Sequence, residues 1–185
     1  MVRSQMHPHP LRIIARALIT LVVLHIPVGA SATPSVLDLK KLNAEIDLQG
    51  ACDTVGRLFE NDSEWNALMR QVGTGDRRAI EVAFRLLPGS DGAASEMLHL
   101  SLGEALEHAE SDVLTKAGDM DLQSICSGPD VDDERYNSLE LSRAALDRRI
   151  SAVSALQQPR LLSRRNECLQ SLKAARANDS FFKNR

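Results

Sequence analysis

The spacing of apolar side chains is the feature of this 185-residue chain that most restricts its fold. From residue 35 onward, apolar residues recur three or four positions apart almost everywhere, and no stretch clearly alternates apolar with polar side chains. A period of three to four residues places side chains on one face of an α-helix, whereas alternation would indicate a strand. The sequence therefore predicts an all-α protein, either an irregular multi-helix bundle or a short repeat-like stack of antiparallel helices.

Capping residues and helix breakers divide this pattern into segments. Asn61 or Asp62, Asp76 and Asp91 are the expected N-caps. The first helical stretch is either one helix or two, with Gly50 as the candidate break between them. The last helix is expected to begin at Pro159, because proline costs little in a first turn. The predicted helical segments are 35–59, 64–72, 77–87, 93–109, 111–118, 122–126, 134–156 and 159–177. Together they predict a single domain over residues 33–177, followed by a frayed tail over 178–185.

The N-terminal segment is typical of a secretory signal peptide. Its charged side chains are three arginines, an apolar run at 17–26 follows, and the small residues Ala30-Ser31-Ala32 come next. A basic start, a short apolar core and an A-x-A end predict cleavage after Ala32. The alternative is an uncleaved membrane anchor, but a span needs about 20 apolar residues, and Pro27 and Gly29 interrupt this run. We therefore expect residues 1–32 to be removed.

Export sets the expected location and charge of the mature chain. We expect it in the periplasm or outside the cell, with no membrane span after cleavage. Residues 1–32 contain three of the 22 Lys and Arg and none of the 25 Asp and Glu, so the remainder carries a net charge of −6. Such a chain has no general electrostatic attraction to nucleic acid, so a nucleic-acid partner is not expected.

The charges of the mature chain are unevenly distributed along the sequence. Residues 91–134 contain twelve acidic side chains and one basic one, whereas residues 135–185 contain eleven basic and four acidic ones. Two interpretations remain open. In one, the two segments attract each other within the fold; in the other, they form a bipolar surface that steers a charged partner.

The turn and packing residues of two stretches resemble a group of exported helical bacterial proteins with no named activity. The residues that carry the resemblance are Thr74-Gly75-Asp76, Ser90-Asp91-Gly92, Ser101 to Leu106, Cys126, Ala145-Leu146, Pro159-Arg160-Leu161 and Cys168-Leu169. The resemblance implies export, a helical fold and a Cys126–Cys168 pair, and it implies no activity.

Three cysteines in an oxidising compartment allow one intramolecular disulfide and one remaining thiol. Loop-closure entropy separates a 42-residue loop from a 74-residue loop by only about 0.4 kcal/mol, so it does not select the pair. Cys126 lies in segment 118–132, which has few apolar residues, and a bond to Cys168 would hold that segment to the last helix. We therefore favour Cys126–Cys168, with Cys52 reduced and buried. The alternative is three buried thiols.

Ionisable clusters give no strong signal for a metal or catalytic site. His99 and His108 each have a glutamate at helical reach, Glu96 and Glu104, but nine residues place the two rings on nearly opposite faces of one helix. The acidic residues of 119–134 lack the glycine that an EF-hand requires at its sixth position. We therefore predict no catalytic residues, no metal site and no cofactor.

Two functions remain compatible with this sequence. The first is a non-enzymatic envelope protein that binds another protein, for example as an inhibitor or immunity protein. The second is a carboxylate-dependent envelope hydrolase, for which Glu96, Glu104 and Glu107 are available. The hydrolase predicts a pocket that holds at least two acids with raised pKa values.

Overall fold

The computed structural model describes residues 37–178, which fall within one compact unit. These residues form eight α-helices and two short 3-10 turns, and none of them lies in a β-strand. The helices are α1 (Leu39–Gln49), α2 (Ala51–Phe59), α3 (Asp62–Gly73), α4 (Arg77–Leu86), α5 (Gly92–Lys116), α6 (Asp119–Ile125), α7 (Leu139–Ala155) and α8 (Leu162–Ala177), and the 3-10 turns are Leu87–Gly89 and Pro159–Leu161. The all-α prediction is confirmed. The predicted signal peptide and residues 179–185 of the predicted tail lie outside the described residues.

Side-chain caps begin α3 and α4 where the sequence predicts them. Asn61 Oδ1 accepts a hydrogen bond from the Glu64 amide at 3.3 Å, and Asp76 Oδ1 accepts from the Arg78 and Ala79 amides at 2.8 and 3.0 Å. Each bond satisfies an N–H group that the first turn leaves without a partner. Between α1 and α2, Gly50 adopts a φ of 85°, which a residue with a side chain rarely adopts. The candidate break in the first helical stretch is therefore confirmed.

Helix α5 is the centre of the packing and contacts α3, α4, α6 and α7. Leu98, Leu102 and Leu106 lie on its buried face and are fully buried. Burial of each leucine contributes about 1.5–3 kcal/mol relative to exposure. Helix α1 also contacts α4, and the described helices form a multi-helix bundle. Within residues 37–178, no helix combines the length and apolar composition needed to cross a membrane.

Helix boundaries differ from the sequence prediction at several points. Helix α6 begins at Asp119 and not at residue 122, and Pro159 begins a 3-10 turn, so that α8 begins at Leu162. Helix α5 continues to Lys116 through a kink at Ala109, so the predicted segment 111–118 is its final part. Helix α7 begins at Leu139, and the prediction that it begins at residue 134 was wrong. The Asp133 carboxylate accepts a hydrogen bond from the Arg135 amide at 2.8 Å, which favours a turn over a helix. Ser138 then caps α7 by accepting from the Leu141 amide at 3.2 Å.

Candidate functional site

An open cleft of about 650 Å³ lies between α3, α5, α7 and the segment 127–138 that precedes α7. Met69, Met97 and Leu100 supply apolar side chains to its lining. The ionisable side chains of its lining are Arg70, Glu104, Glu107, His108, Asp130, Asp133, Arg135 and Arg148. An apolar surface beside ionic side chains can hold a ligand that has both apolar and charged groups.

The packing of α3 against α5 shapes one side of the cleft. The indole Nε1 of Trp65 donates a hydrogen bond to the Met97 sulfur at 3.3 Å, which orients this methionine beside the cleft. Gly73 allows the close approach of Glu104, because a Cβ on Gly73 would lie 2.7 Å from Glu104 Oε2. Gly73 therefore ends α3 and also makes room for a carboxylate of the cleft.

Glu104 links α5 to segment 127–138. Arg135 donates to both of its carboxylate oxygens, at 2.8 and 3.2 Å, and the Tyr136 hydroxyl donates to Oε1 at 3.3 Å. The Arg135 guanidinium also pairs with Asp133 and lies 5.0 Å from the centre of the Tyr136 ring. The hydrogen bond from Arg135 lowers the pKa of Asp133 below its ordinary value. These contacts hold one wall of the cleft in place.

Glu107 stands one helical turn further along α5 and faces two arginines of α7. Arg148 Nε donates to Glu107 Oε2 at 2.6 Å, and Arg148 Nη2 lies 3.5 Å from Oε1. Arg149 Nε lies 3.8 Å from the same Oε1, beyond hydrogen-bond distance. The Arg148 side chain is 56% exposed, whereas the Arg149 side chain is 1% exposed. The Glu107 carboxylate therefore hydrogen-bonds the exposed Arg148 and lies near the buried Arg149 without bonding to it.

The guanidinium of Arg149 is buried and only partly satisfied. Its Nε and Nη2 atoms have no hydrogen-bond acceptor among the described residues. Burial lowers the pKa of Arg149, and Tyr136, Glu107 and Glu104 oppose that shift. Arginine nevertheless remains protonated in proteins, so a positive charge lies beneath the cleft. Gly103 makes room for it, because a Cβ on Gly103 would lie 3.3 Å from Arg149 Nη1.

Arg149 was not among the residues expected at a functional site. A signal was nevertheless present, because Ser142, Ala145, Leu146, Arg149 and Val153 share one helical face of α7 and are all buried. The three-to-four-residue spacing that places leucine inward places Arg149 inward as well.

The two histidines face different parts of the molecule, as their nine-residue separation predicts. His99 Nε2 lies 3.2 Å from Asp121 Oδ1 on α6, so its partner is not the Glu96 of the sequence analysis. His108 is exposed and lines the cleft, while the carboxylate of Glu104 is engaged by Arg135. Within residues 37–178, no group of three or more His, Cys, Asp or Glu side chains is arranged to hold a metal ion.

Cys126 and Cys168 form a disulfide, with their Cα atoms 5.2 Å apart. The predicted pair is therefore confirmed, and it joins the start of segment 127–138 to α8. Cys52 is free, but it is exposed, so the prediction that it is buried was wrong. Cys52, Gly56 and Phe59 follow one another at helical spacing on the outer face of α2. Phe59 is 41% exposed and packs edge-on against Trp65.

Some of the basic side chains of residues 135–185 form ion pairs with acidic side chains of residues 91–134. Arg135, Arg148 and Arg164 of the basic segment pair with Glu104, Glu107 and Asp119 of the acidic segment, the last at 4.0 Å. The interpretation that the two segments attract each other within the fold accounts for these pairs. Comparison with known proteins adds no further guidance, since no family model, curated protein or solved structure matches this chain.

Proposed function

We propose that this chain is an exported, non-enzymatic protein that acts by binding another protein through its cleft. The observation that supports this most directly is the pairing of the two central carboxylates with arginine, Glu104 with Arg135 and Glu107 with Arg148. Both carboxylates already have arginine partners, whereas a general acid or base must be available to exchange a proton with a substrate. Apolar side chains surrounded by charged ones, with methionine and arginine among them, are typical of a protein-binding surface.

Export rests on the basic start, the apolar run and the A-x-A end of residues 1–32. The Cys126–Cys168 disulfide fits an oxidising compartment, where such bonds persist. The partner would then be a protein of the bacterial envelope or its surroundings, and the mature chain would begin at Thr33. Intact-mass measurement of the envelope fraction tests this proposal. A chain that retains residue 1 in a membrane-bound form contradicts it.

The binding proposal is tested by affinity capture from envelope extract with a matched pair of variants. Arg70 is exposed and lines the cleft, so Arg70→Glu should abolish recovery of a specific partner. Arg160→Glu makes the same charge change on an exposed arginine that is not among the cleft residues, so it should leave recovery unchanged. The capture is run at low and moderate salt. Loss in both variants, recovery in both, or no specific partner for the unaltered protein argues against binding through the cleft.

An inhibitor or immunity protein for an envelope-directed enzyme is the specific form of binding that we propose. Its distinguishing property is that the captured partner is an enzyme whose activity falls on addition of this protein. The Arg70→Glu variant should leave that enzyme active at concentrations at which the unaltered protein inhibits it. A captured partner without enzymatic activity rejects this form and leaves the more general binding function in place.

A carboxylate-dependent hydrolase is the second candidate, because Glu104 and Glu107 face the same cleft one turn apart on α5. The cleft offers this candidate less support, since both glutamates are paired with arginines and the pKa of Asp133 is lowered, not raised. Release of soluble sugars from purified cell-wall polysaccharide tests it. Release that is lost in Glu104→Gln or Glu107→Gln would favour the hydrolase over the binding protein.

A further inference from the structure

The shared position of Glu107 suggests how the cleft recognises its partner. Glu107 forms its short contacts with the exposed Arg148, while Nε of the buried Arg149 lies 3.8 Å away without a hydrogen-bond acceptor. A buried guanidinium gains more from a carboxylate than an exposed one does, because water no longer screens the interaction. In this arrangement, Glu107 therefore bonds to the cation that gains less from the interaction.

We propose that the cleft binds a carboxylate group of the partner polypeptide through Arg148, and that Glu107 then shifts to Arg149. The exchange keeps every charge paired. The incoming carboxylate takes the two N–H donors of Arg148 that Glu107 now occupies, and Glu107 closes the gap of 3.8 Å to Arg149 Nε. Arg148 is the cation that contacts the ligand, and Arg149 is a positioning residue that acts through Glu107.

Both arginines have the exposure that these roles require. Arg148 lines the cleft and is 56% exposed, so a ligand can reach it without unfolding any element. Arg149 is 1% exposed and is absent from the cleft lining, so a ligand cannot contact it directly. The planar fork of a guanidinium matches the two oxygens of a carboxylate, which adds geometric specificity to the charge attraction.

The charges around the cleft favour a carboxylate over a phosphate group. Four acidic side chains line the cleft together with the arginines. A phosphate monoester carries about 1.5 to 2 negative charges at neutral pH, so it would experience more repulsion from these acids than a singly charged carboxylate does. Met69, Met97 and Leu100 provide an adjacent apolar surface. An acidic residue flanked by apolar residues is therefore the expected recognition element.

A matched pair of peptides tests the exchange on the mature protein. Ac-Leu-Glu-Leu-NH₂ carries the carboxylate, and Ac-Leu-Gln-Leu-NH₂ replaces it with an amide of the same shape. We expect the glutamate peptide to bind at least tenfold more tightly in an NMR titration. We also expect the Arg149 Nε–H resonance to shift with the glutamate peptide and not with the glutamine peptide. Equal binding of the two peptides, or an Arg149 resonance that does not respond, overturns the proposal.

Three variants separate the two arginines from general effects of charge. Arg148→Gln should remove the preference for the glutamate peptide, whereas Arg160→Gln should retain it. Arg149→Met should reduce the preference at least threefold and leave binding of the glutamine peptide unchanged, which a general loss of structure would not do. Circular dichroism verifies the fold of each variant. A preference that survives in Arg148→Gln, or tighter binding of inorganic phosphate than of the glutamate peptide, rejects the proposed site.

This inference depends on the proposed binding function only for the source of the carboxylate. If partner capture depends on Arg70 but the two peptides bind equally, the binding function stands and the carboxylate exchange fails. If the peptide preference holds but no partner is captured, the site stands and the proposed function fails.

Discussion

Gly103 and Arg149 meet where α5 passes between α6 and α7: a Cβ on Gly103 would lie 3.3 Å from Arg149 Nη1 and 2.7 Å from the Ile125 carbonyl oxygen. The carbonyl is part of the α6 backbone and cannot rotate away as a side chain can. The absence of a side chain at this one position therefore sets how closely α6 approaches α5. It also leaves room for a buried guanidinium next to the cleft.

Gly103→Ala should destabilise the protein by about 1–3 kcal/mol, the usual cost of overpacking a well-filled interior. The expected loss occurs although alanine favours helix formation by about 1 kcal/mol over glycine. Gly56→Ala is the matched control, because Gly56 is also helical and no atom lies within 4 Å of its added Cβ. That control should stabilise the protein by about 0.5–1 kcal/mol. Urea unfolding of both variants measures the difference, and a stabilising effect at Gly103 contradicts the proposed contact.

Glu107→Gln should destabilise the protein by about 3–5 kcal/mol, the typical result of removing one partner from a buried charge pair. The Arg149 guanidinium, which is 1% exposed, would then lose the carboxylate that lies 3.8 Å from its Nε. Adding Arg149→Met to this variant should recover most of the loss, because the uncompensated buried charge is gone. A double-mutant cycle by urea unfolding measures the coupling between the two positions. If the changes in the free energy of unfolding of the two single variants add up to that of the double variant, Glu107 does not compensate the charge of Arg149.

Local patterns in the sequence were sufficient to predict the helices, whereas the cleft depends on contacts between distant residues. The spacing of Leu98, Leu102 and Leu106 predicts the buried face of α5, and Asn61 and Asp76 predict two helix starts. These signals act over a few residues. The pairing of Glu104 with Arg135 spans 31 positions, and nothing local indicates that Glu104 has this partner and not His108 four residues away.

The start of α7 and the burial of Arg149 show why local rules fail at the cleft. A run of acidic residues before a helix usually complements the helix dipole, yet the Asp133 side chain accepts from the Arg135 backbone and forms a turn. Arginine is rarely buried, yet Gly103 provides the space that Arg149 requires. In both cases a tertiary contact outweighs the average preference of the residue.

Acid should weaken the wall of the cleft through Asp133. The pKa of Asp133 is lowered in the folded protein. Its carboxylate therefore contributes its full stabilisation above the unfolded-state pKa of about 3.9. This stabilisation is lost as the pH falls through the lower pKa of the folded state. The melting temperature should therefore fall less between pH 5 and pH 2 in Asp133→Asn than in the unaltered protein. Glu81→Gln removes an exposed carboxylate of α4 and controls for the change in net charge. Identical pH profiles for Asp133→Asn and the unaltered protein would mean that the contact with Arg135 contributes no stability.

Reduction of the Cys126–Cys168 bond should lower stability markedly, because the bond closes a loop of 42 residues. The chain-entropy model gives about 4 kcal/mol for a loop of this length, against a typical net stability of 5–15 kcal/mol. Both sulfur-bearing residues are fully buried, so a reductant acts at low concentration only after the surrounding structure opens. Calorimetry with and without reductant should show a lower melting temperature in the reduced protein. Cys52→Ala should show the same sensitivity, because the exposed Cys52 thiol takes no part in the bond. The double variant Cys126→Ser/Cys168→Ser should have a melting temperature that does not change with reductant. If that melting temperature still falls on reduction, the disulfide lies elsewhere.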